Sequence, residues 1–303
     1  MLKKILLISG IAVGVIIIGF GLYFYITLNK KGDGLPQDFI VRSGQSTREI
    51  AANLKKQGLI SSDAVFTYYT KLKGELIQVG VYKLSSSQSM KEILAILASG
   101  KASEYLVTIP EGWRVTQIDE YLASKKIITA GSFIQIASGD EGYLFPDTYR
   151  FLPQSKPEDI RTEMLANFQK KTTGLNLTRD NLILASIVER EAKYDIDRPK
   201  IAGVYLNRLE KGMKLEADPT IQYAKGSWEA ITLSDYKNVN SLYNTYLNVG
   251  LPPGPICNPG LKSIEAVLYP QKDGYLYFFH KEDGYADYSA TAEEHAENLK
   301  KYQ

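Results

Sequence analysis

Residues Ile5 to Leu28 carry no charge and form the longest apolar run in the chain. A run of this length can cross a bilayer as a helix, the form that satisfies every backbone polar group within a single segment. Lys3 and Lys4 precede it, Lys30 and Lys31 follow it, and Tyr23 and Tyr25 lie near its far end, where aromatic belts form. The apolar core is longer than that of a cleaved signal peptide, and no small-residue cleavage site follows. The expectation is an uncleaved single-pass anchor over residues 5–28, with residues 1–4 as a short cytoplasmic N-terminus. The flanking lysines are nearly symmetric, so they do not orient the helix.

The remainder is large enough for two folded domains: 303 residues in all, 44% hydrophobic, with a net charge of +2. Nearly balanced charge without a basic stripe argues against nucleic acid as a partner. The single cysteine, Cys257, rules out an intramolecular disulfide.

Residues 29–37 contain Gly32, Gly34 and Pro36 and read as a linker. Three segments then repeat one pattern, beginning at Asp38, Gly80 and Tyr105: a short β-rich run, a turn, and an amphipathic helix with an Ile and a Leu four apart. The pairs are Ile50 and Leu54, Ile93 and Leu97, and Ile118 and Leu122. Ser46 with Glu49 and Ser89 with Glu92 have capping-box spacing. Ser62 to Leu72 reads as a further helix. The first two units, residues 38–103, resemble a small α+β module of LysM type, for which glycan binding and a purely structural spacer role both fit. Residues 104–303 form a second, mixed α+β domain. Within it, helices are expected over Pro157–Thr172, Arg198–Lys211, Leu261–Leu268 and Thr291–Tyr302, and a strand over Tyr275–His280. Leu215 to Pro259 is rich in turns and polar residues, and ordered loops of that length commonly carry function.

Asn181 to Lys193 (NLILASIVEREAK) is too apolar for a solvated helix and reads as one buried nearly all round. At about 100° per residue, Glu189 and Glu191 near its end point to opposite sides. Glu191 lies over Leu184, Ile187 and Val188, and Glu189 over Leu182, Ala185 and Ser186. A carboxyl set against apolar side chains loses hydration, and its pKa rises towards proton-donating range. The helix alone also allows both acids to be surface charges or partners of Arg190 and Arg198.

Only two histidines, His280 and His295, are present, without paired-Cys or HExxH spacing, so no metal is expected. No cofactor is expected either, because no Gly-rich phosphate loop is present. Without a GxSxG elbow, and with no histidine near Cys257 in sequence, nucleophilic catalysis by Ser or Cys is weakly supported. Carboxylate chemistry remains, in a setting rich in aromatics and amides that suits a glycan.

Several motifs in order carry a resemblance: SIVEREA around Glu189–Glu191, VYLNRL at Val204–Leu209, GMKLEADPTIQYA, YNTY at Tyr243–Tyr246, GLPPGPICNPG, EGYLFPDTY and the closing YLYFF…EEH pattern. Together they resemble the MltG (YceG-like) family of endolytic murein transglycosylases over nearly the whole chain. The resemblance implies a lyase that cleaves the MurNAc–GlcNAc β-1,4 bond within glycan strands and leaves 1,6-anhydroMurNAc ends. It assigns Glu191 as the catalytic acid and base. Glu189 is expected as a supporting ion-pair residue, with Arg208 as its partner. Asn207, Asp218, Thr220, Gln222, Tyr243, Asn244 and Thr245 are expected to line the cleft. The family's placement implies a catalytic domain on the outer side of the cell membrane, with peptidoglycan as substrate, membrane lipid around the anchor and cell-wall synthases as partners. A membrane-anchored glycan-binding scaffold and a lysozyme-type hydrolase are the competing readings. One departure is visible: the family often has a His shortly before the aromatic–Ser pair of the last strand. Here GYADYS has Ala286 and Asp287 in that region, so that position is left out of the expected site.

Overall fold

The computed structural model describes residues 2–42, 44–100, 102 and 106–302; in the first helix the side chains of residues 2–10, 12 and 13 fall outside that description. The chain divides into two compact units, Met1–Leu106 and Val107–Gln303.

In the first unit, α1 (Leu2–Asn29) is followed by β1 (Gln37–Val41), α2 (Thr47–Lys56), α3 (Asp63–Lys73), β2 (Gly80–Leu84) and α4 (Met90–Ala98). β1 and β2 pair antiparallel, with Phe39 opposite Tyr82. Both expected capping boxes form: Ser46 and Ser89 each accept from the backbone of the glutamate three residues on, whose side chain reaches back. Ile50, Leu54, Ile93 and Leu97 turn inward with Phe39, Phe66 and Leu84 to make the core.

Among the described residues no helix is long and apolar enough to cross a membrane. The side chains of residues 5–10, 12 and 13, about a third of the expected anchor, lie outside that description. The described part is apolar and uncovered: Val15, Ile16, Ile17, Ile18 and Phe20 are all exposed. Its last turns are different. Leu28 is buried in the module's core, and Phe24 meets Tyr68 edge-on at 5.7 Å. The segment after it is fastened to the module: Gly32 N donates to Ser86 O at 2.6 Å, Gly34 N to Ser86 Oγ at 2.9 Å, and Lys31 pairs with Glu92 at 2.7 Å.

In the second unit, the short strands β3 (Leu106–Thr108) and β4 (Thr148–Arg150) pair around α5 (Val115–Ser124), α6 (Ser132–Ala137) and α7 (Pro157–Lys171). Tyr105, where the third sequence repeat begins, lies outside the described residues; Ile118 and Leu122 of that repeat are fully buried. The second core surrounds α8 (Arg179–Glu191). Its residues Leu182 to Val188 are none of them more than 2% exposed, because α9 (Arg198–Glu210), α10 (Asp218–Lys225) and α12 (Leu261–Leu268) pack against it. The centre of this helix is also tied to the proline-rich loop: Ser186 Oγ accepts from Ile256 N at 2.9 Å.

The turn-rich stretch 215–259 contains more regular structure than its composition suggests. DPTIQYAK forms α10, with Pro219 in its first turn and Gly226 closing it at φ +76°; α11 (Asp235–Asn238) follows. Proline is tolerated there because the first-turn N–H groups have no helical acceptor, and glycine takes the left-handed closing conformation without a Cβ penalty. β5 (Tyr277–His280) and β6 (Ala286–Ser289) form an antiparallel hairpin with His280 opposite Ala286, and α13 (Ala292–Tyr302) closes the chain.

Gly203 of α9 lies against the Gln271 backbone, where a Cβ would sit well inside contact distance of the carbonyl oxygen. Gly203→Ala gains about 1 kcal/mol of helix propensity, but it forces backbone apart and overpacking costs about 1–3 kcal/mol. The expected net result is a lower urea midpoint; an unchanged or higher midpoint would show that the 271 segment gives way freely.

Candidate active site

α8 carries three polar residues in a row at its end, and each enters a different environment. Glu189 is saturated: Arg198 Nη1 lies at 3.2 Å, and Gly260 N and Ser263 Oγ each donate at 2.9 Å. Its side chain is 6% exposed, so it is a buried carboxylate held by a cation and two further donors. Its ion-pair partner is Arg198, not Arg208 as expected. Arg208 lies elsewhere on α9 and donates to Leu276 O, Leu215 O and Glu216. Arg190 stacks its guanidinium on Trp228, 4.1 Å from the ring centroid.

Glu191 ends the helix and lines a cavity of about 260 Å³. Tyr205 OH donates to its Oε1 at 2.9 Å, and Asp218, Tyr246, Phe278 and His280 are among the other lining residues. Burial drives the Glu191 carboxyl up to about 7; the Tyr205 hydrogen bond and Arg190 oppose this, while the Asp218 charge adds to it. Loss of water outweighs the stabilising partners, so Glu191 can hold a proton near neutrality. Tyr205 remains a donor, its phenol pushed well above the ordinary value first by burial and then by Glu191 itself.

Of the other expected site residues, Asp218 reaches the cavity and accepts from Tyr246 OH at 2.7 Å. The threonines serve the wall from within. Thr220 is fully buried and bonds Thr245 Oγ1 at 2.9 Å, while Ala217 N donates to Thr245 Oγ1 at 3.0 Å. This joins the start of α10 to the YNTY turn and sets Asp218 beside Tyr246. Asn244, also fully buried, donates to Val239 O and accepts from Tyr246 N. Asn207 donates to Tyr275 O at 2.9 Å, and Gln222 to Glu229 O at 2.9 Å; neither lines the cavity. Tyr243 packs on Tyr223, with ring centroids 4.8 Å apart, away from Glu191's cavity.

Sequence reasoning did not single out Tyr205, Tyr246, Phe278 or His280, because aromatics at helical or strand spacing look like core. It also passed over Asn258 and Glu141. Fully buried Asn258 accepts from Gly142 N and Leu144 N, each at 2.9 Å, and donates to Trp113 O and Glu141. Glu141 is raised to about 7 by burial, despite Val115 N, Arg114 and Asn258, but does not line the Glu191 cavity. Asn258 therefore joins the Trp113 and Gly142 loops, and Glu191 is the raised carboxyl that lines this cavity.

The class defined by this fold and cavity is a protein with one protonatable carboxyl in a polar, aromatic-walled pocket. The model of the YceG-like family matches residues 39–301, and the chain belongs to that family. The chain is 37% identical over 300 residues to the endolytic murein transglycosylase of Bacillus subtilis (strain 168), across 86% of this chain and 83% of that protein. It is 31% identical over 313 residues to a protein of the same name from Streptococcus pneumoniae (strain D39), of which 57% is covered. A crystal structure of a YceG-like protein from Listeria monocytogenes shares the fold with a TM-score of 0.55 and 31% identity, over 88% of this chain and all of that one.

The raised Glu191 carboxyl has a consequence for stability. Between the unfolded value of 4.5 and about 7 the native state keeps a proton that the unfolded chain has lost, so stability falls as pH rises through that window. Glu191→Gln removes this loss. Its urea stability relative to wild type should grow between pH 4.5 and 7, by at most about 3 kcal/mol, and then level off. Parallel curves from pH 4.5 to 8 would place the carboxyl in ordinary water.

Proposed function

We propose that this chain is an endolytic peptidoglycan lytic transglycosylase, cutting the MurNAc–GlcNAc β-1,4 bond inside glycan strands and leaving 1,6-anhydroMurNAc ends. The observation that carries this reading is Glu191, a carboxyl raised to about 7 at the edge of a cavity, in a chain whose relatives bear that activity in their names. Protonated Glu191 gives its proton to the glycosidic oxygen as the bond to C1 breaks and positive charge develops there. The carboxylate left behind takes the proton of the muramoyl C6 hydroxyl as that oxygen closes on C1. Proton and charge return to their starting state with no water consumed, so one carboxyl suffices. Tyr205 holds Glu191 in position, and Asp218 with Tyr246 forms the polar wall across the cavity, where sugar hydroxyls and acetamides bind. Thr220, Thr245 and Asn244 act by fixing that wall, and Glu189 and Arg208 by holding the helix end and the β5 approach.

The enzyme is anchored by α1, with the catalytic unit on the outer face of the cell membrane. Val15, Ile16, Ile17, Ile18 and Phe20 form an apolar surface that no described part of the protein covers, and a bilayer would cover it. The module that buries the end of α1 is of LysM type and sets the reach of the catalytic unit or holds glycan beside it. A short reach favours newly made strands, so cleavage would end nascent strand growth, close to the synthases that make them.

Digestion of purified peptidoglycan by the full-length protein should release fragments with anhydro ends, one water lighter than hydrolytic products. Glu191→Gln should reduce release at least a thousandfold, on the order of the removal of an essential acid. Equal release by the two proteins would exclude Glu191, and hydrated ends would make the enzyme a lysozyme-type hydrolase. Because the first step needs the protonated acid, the rate should fall about tenfold per pH unit above about 7. A flexible insertion after Asn29 should shift cellular glycan strand lengths; unchanged lengths would show that the tether does not select the cleavage site.

A further inference from the structure

The β5–β6 hairpin brings to the Glu191 cavity a side chain that the reaction above does not use. His280 ends β5 and lines the same cavity as Glu191, Tyr205 and Asp218. Residues two apart on a strand face the same side. Phe278 meets Tyr205 edge-on at 5.7 Å and meets His280 edge-on at 5.7 Å. The sequence Glu191, Tyr205, Phe278, His280 is thus one continuous wall, with the phenol committed to Glu191 and the imidazole at its outer end. Neither ring nitrogen of His280 has a hydrogen-bond partner among the described residues, and the ring is partly open where the strand ends at the cavity. An uncommitted imidazole at the mouth of a glycan cavity is placed to bind what enters.

Resting on the reading of this cavity as a glycan site, we infer that His280 is a substrate-contacting residue that holds the glycan strand through a hydrogen bond to a sugar hydroxyl or acetamide. Partial enclosure of the ring lowers its basicity, with Lys193 acting in the same direction and Asp197 opposing; this favours the neutral imidazole, which offers one donor and one acceptor. Either suits an uncharged sugar. Across the hairpin, His280 is paired directly with Ala286. Directly paired side chains share a face with Cβ atoms about 5 Å apart, so an imidazole from either strand can reach the same space.

The test uses full-length protein in detergent and soluble, uncross-linked glycan strands. His280→Ala should raise KM roughly tenfold, the loss of one good hydrogen bond, with little change in kcat. His280→Gln, which keeps a donor and an acceptor, should restore most of the affinity. So should the double variant His280→Ala with Ala286→His, which moves the imidazole to the paired position. A KM equal to wild type in His280→Ala overturns the inference, as does a loss that neither replacement restores, which would mark a role in the hairpin itself. Wild-type protein that releases no fragments would instead overturn the reading of the cavity, independently of His280.

Discussion

Complete burial of Leu182 to Val188 is the constraint on which the second unit depends. A helix apolar on every side has to be enclosed on every side, and α9, α10, α12 and the proline-rich loop supply that enclosure. Where the enclosure ends, the chain reaches Glu189, Arg190 and Glu191 in succession, each turned by about 100° from the last. One meets a buried arginine, one an indole face, and one a cavity. Helical geometry turns two carboxyls, two residues apart, to different sides, and packing makes one an ion-pair partner and the other the wall of a cavity. At Glu191 loss of water outweighs the phenol and Arg190, whereas Glu189 is met by a guanidinium and two further donors.

The loops around this helix are held by small polar side chains turned inward. Thr220, Thr245, Asn244 and Asn258 are at most 1% exposed, and each is bonded to the chain on both sides of a turn. A buried amide or hydroxyl left unpaired costs about 1–3 kcal/mol, so such a group specifies the backbone that must come to meet it. This is how a long, turn-rich stretch acquires a rigid wall. Asp218 and Tyr246 face the cavity because the threonines behind them fix where α10 begins.

The first unit applies a different solution. The end of α1 is part of the module's core through Leu28, and the segment that follows is hydrogen-bonded to the Ser86 turn, with Gly32 and Gly34 giving the room for that close approach. Helix and module therefore form one body, and what reads in sequence as a linker is a fastened strap.

By itself the sequence determined the elements whose signals are local. The capping boxes at Ser46 and Ser89, the Ile–Leu pairs that became core, the boundaries of α12 and the buried character of α8 were all legible, because hydrophobic period and side-chain-to-backbone capping act within a few residues. The special helix end was legible as well, as two acids over apolar neighbours. Tertiary structure alone decided which partner each acid meets: Arg198 rather than Arg208 for Glu189, and Tyr205 for Glu191. It decided that Thr220, Asn244 and Thr245 support the cleft from behind while Tyr205, Tyr246 and His280 face it. The physical reason is that burial and pairing depend on side chains from distant segments. Identical residue types give opposite roles according to whether water, a cation or another hydroxyl stands beside them.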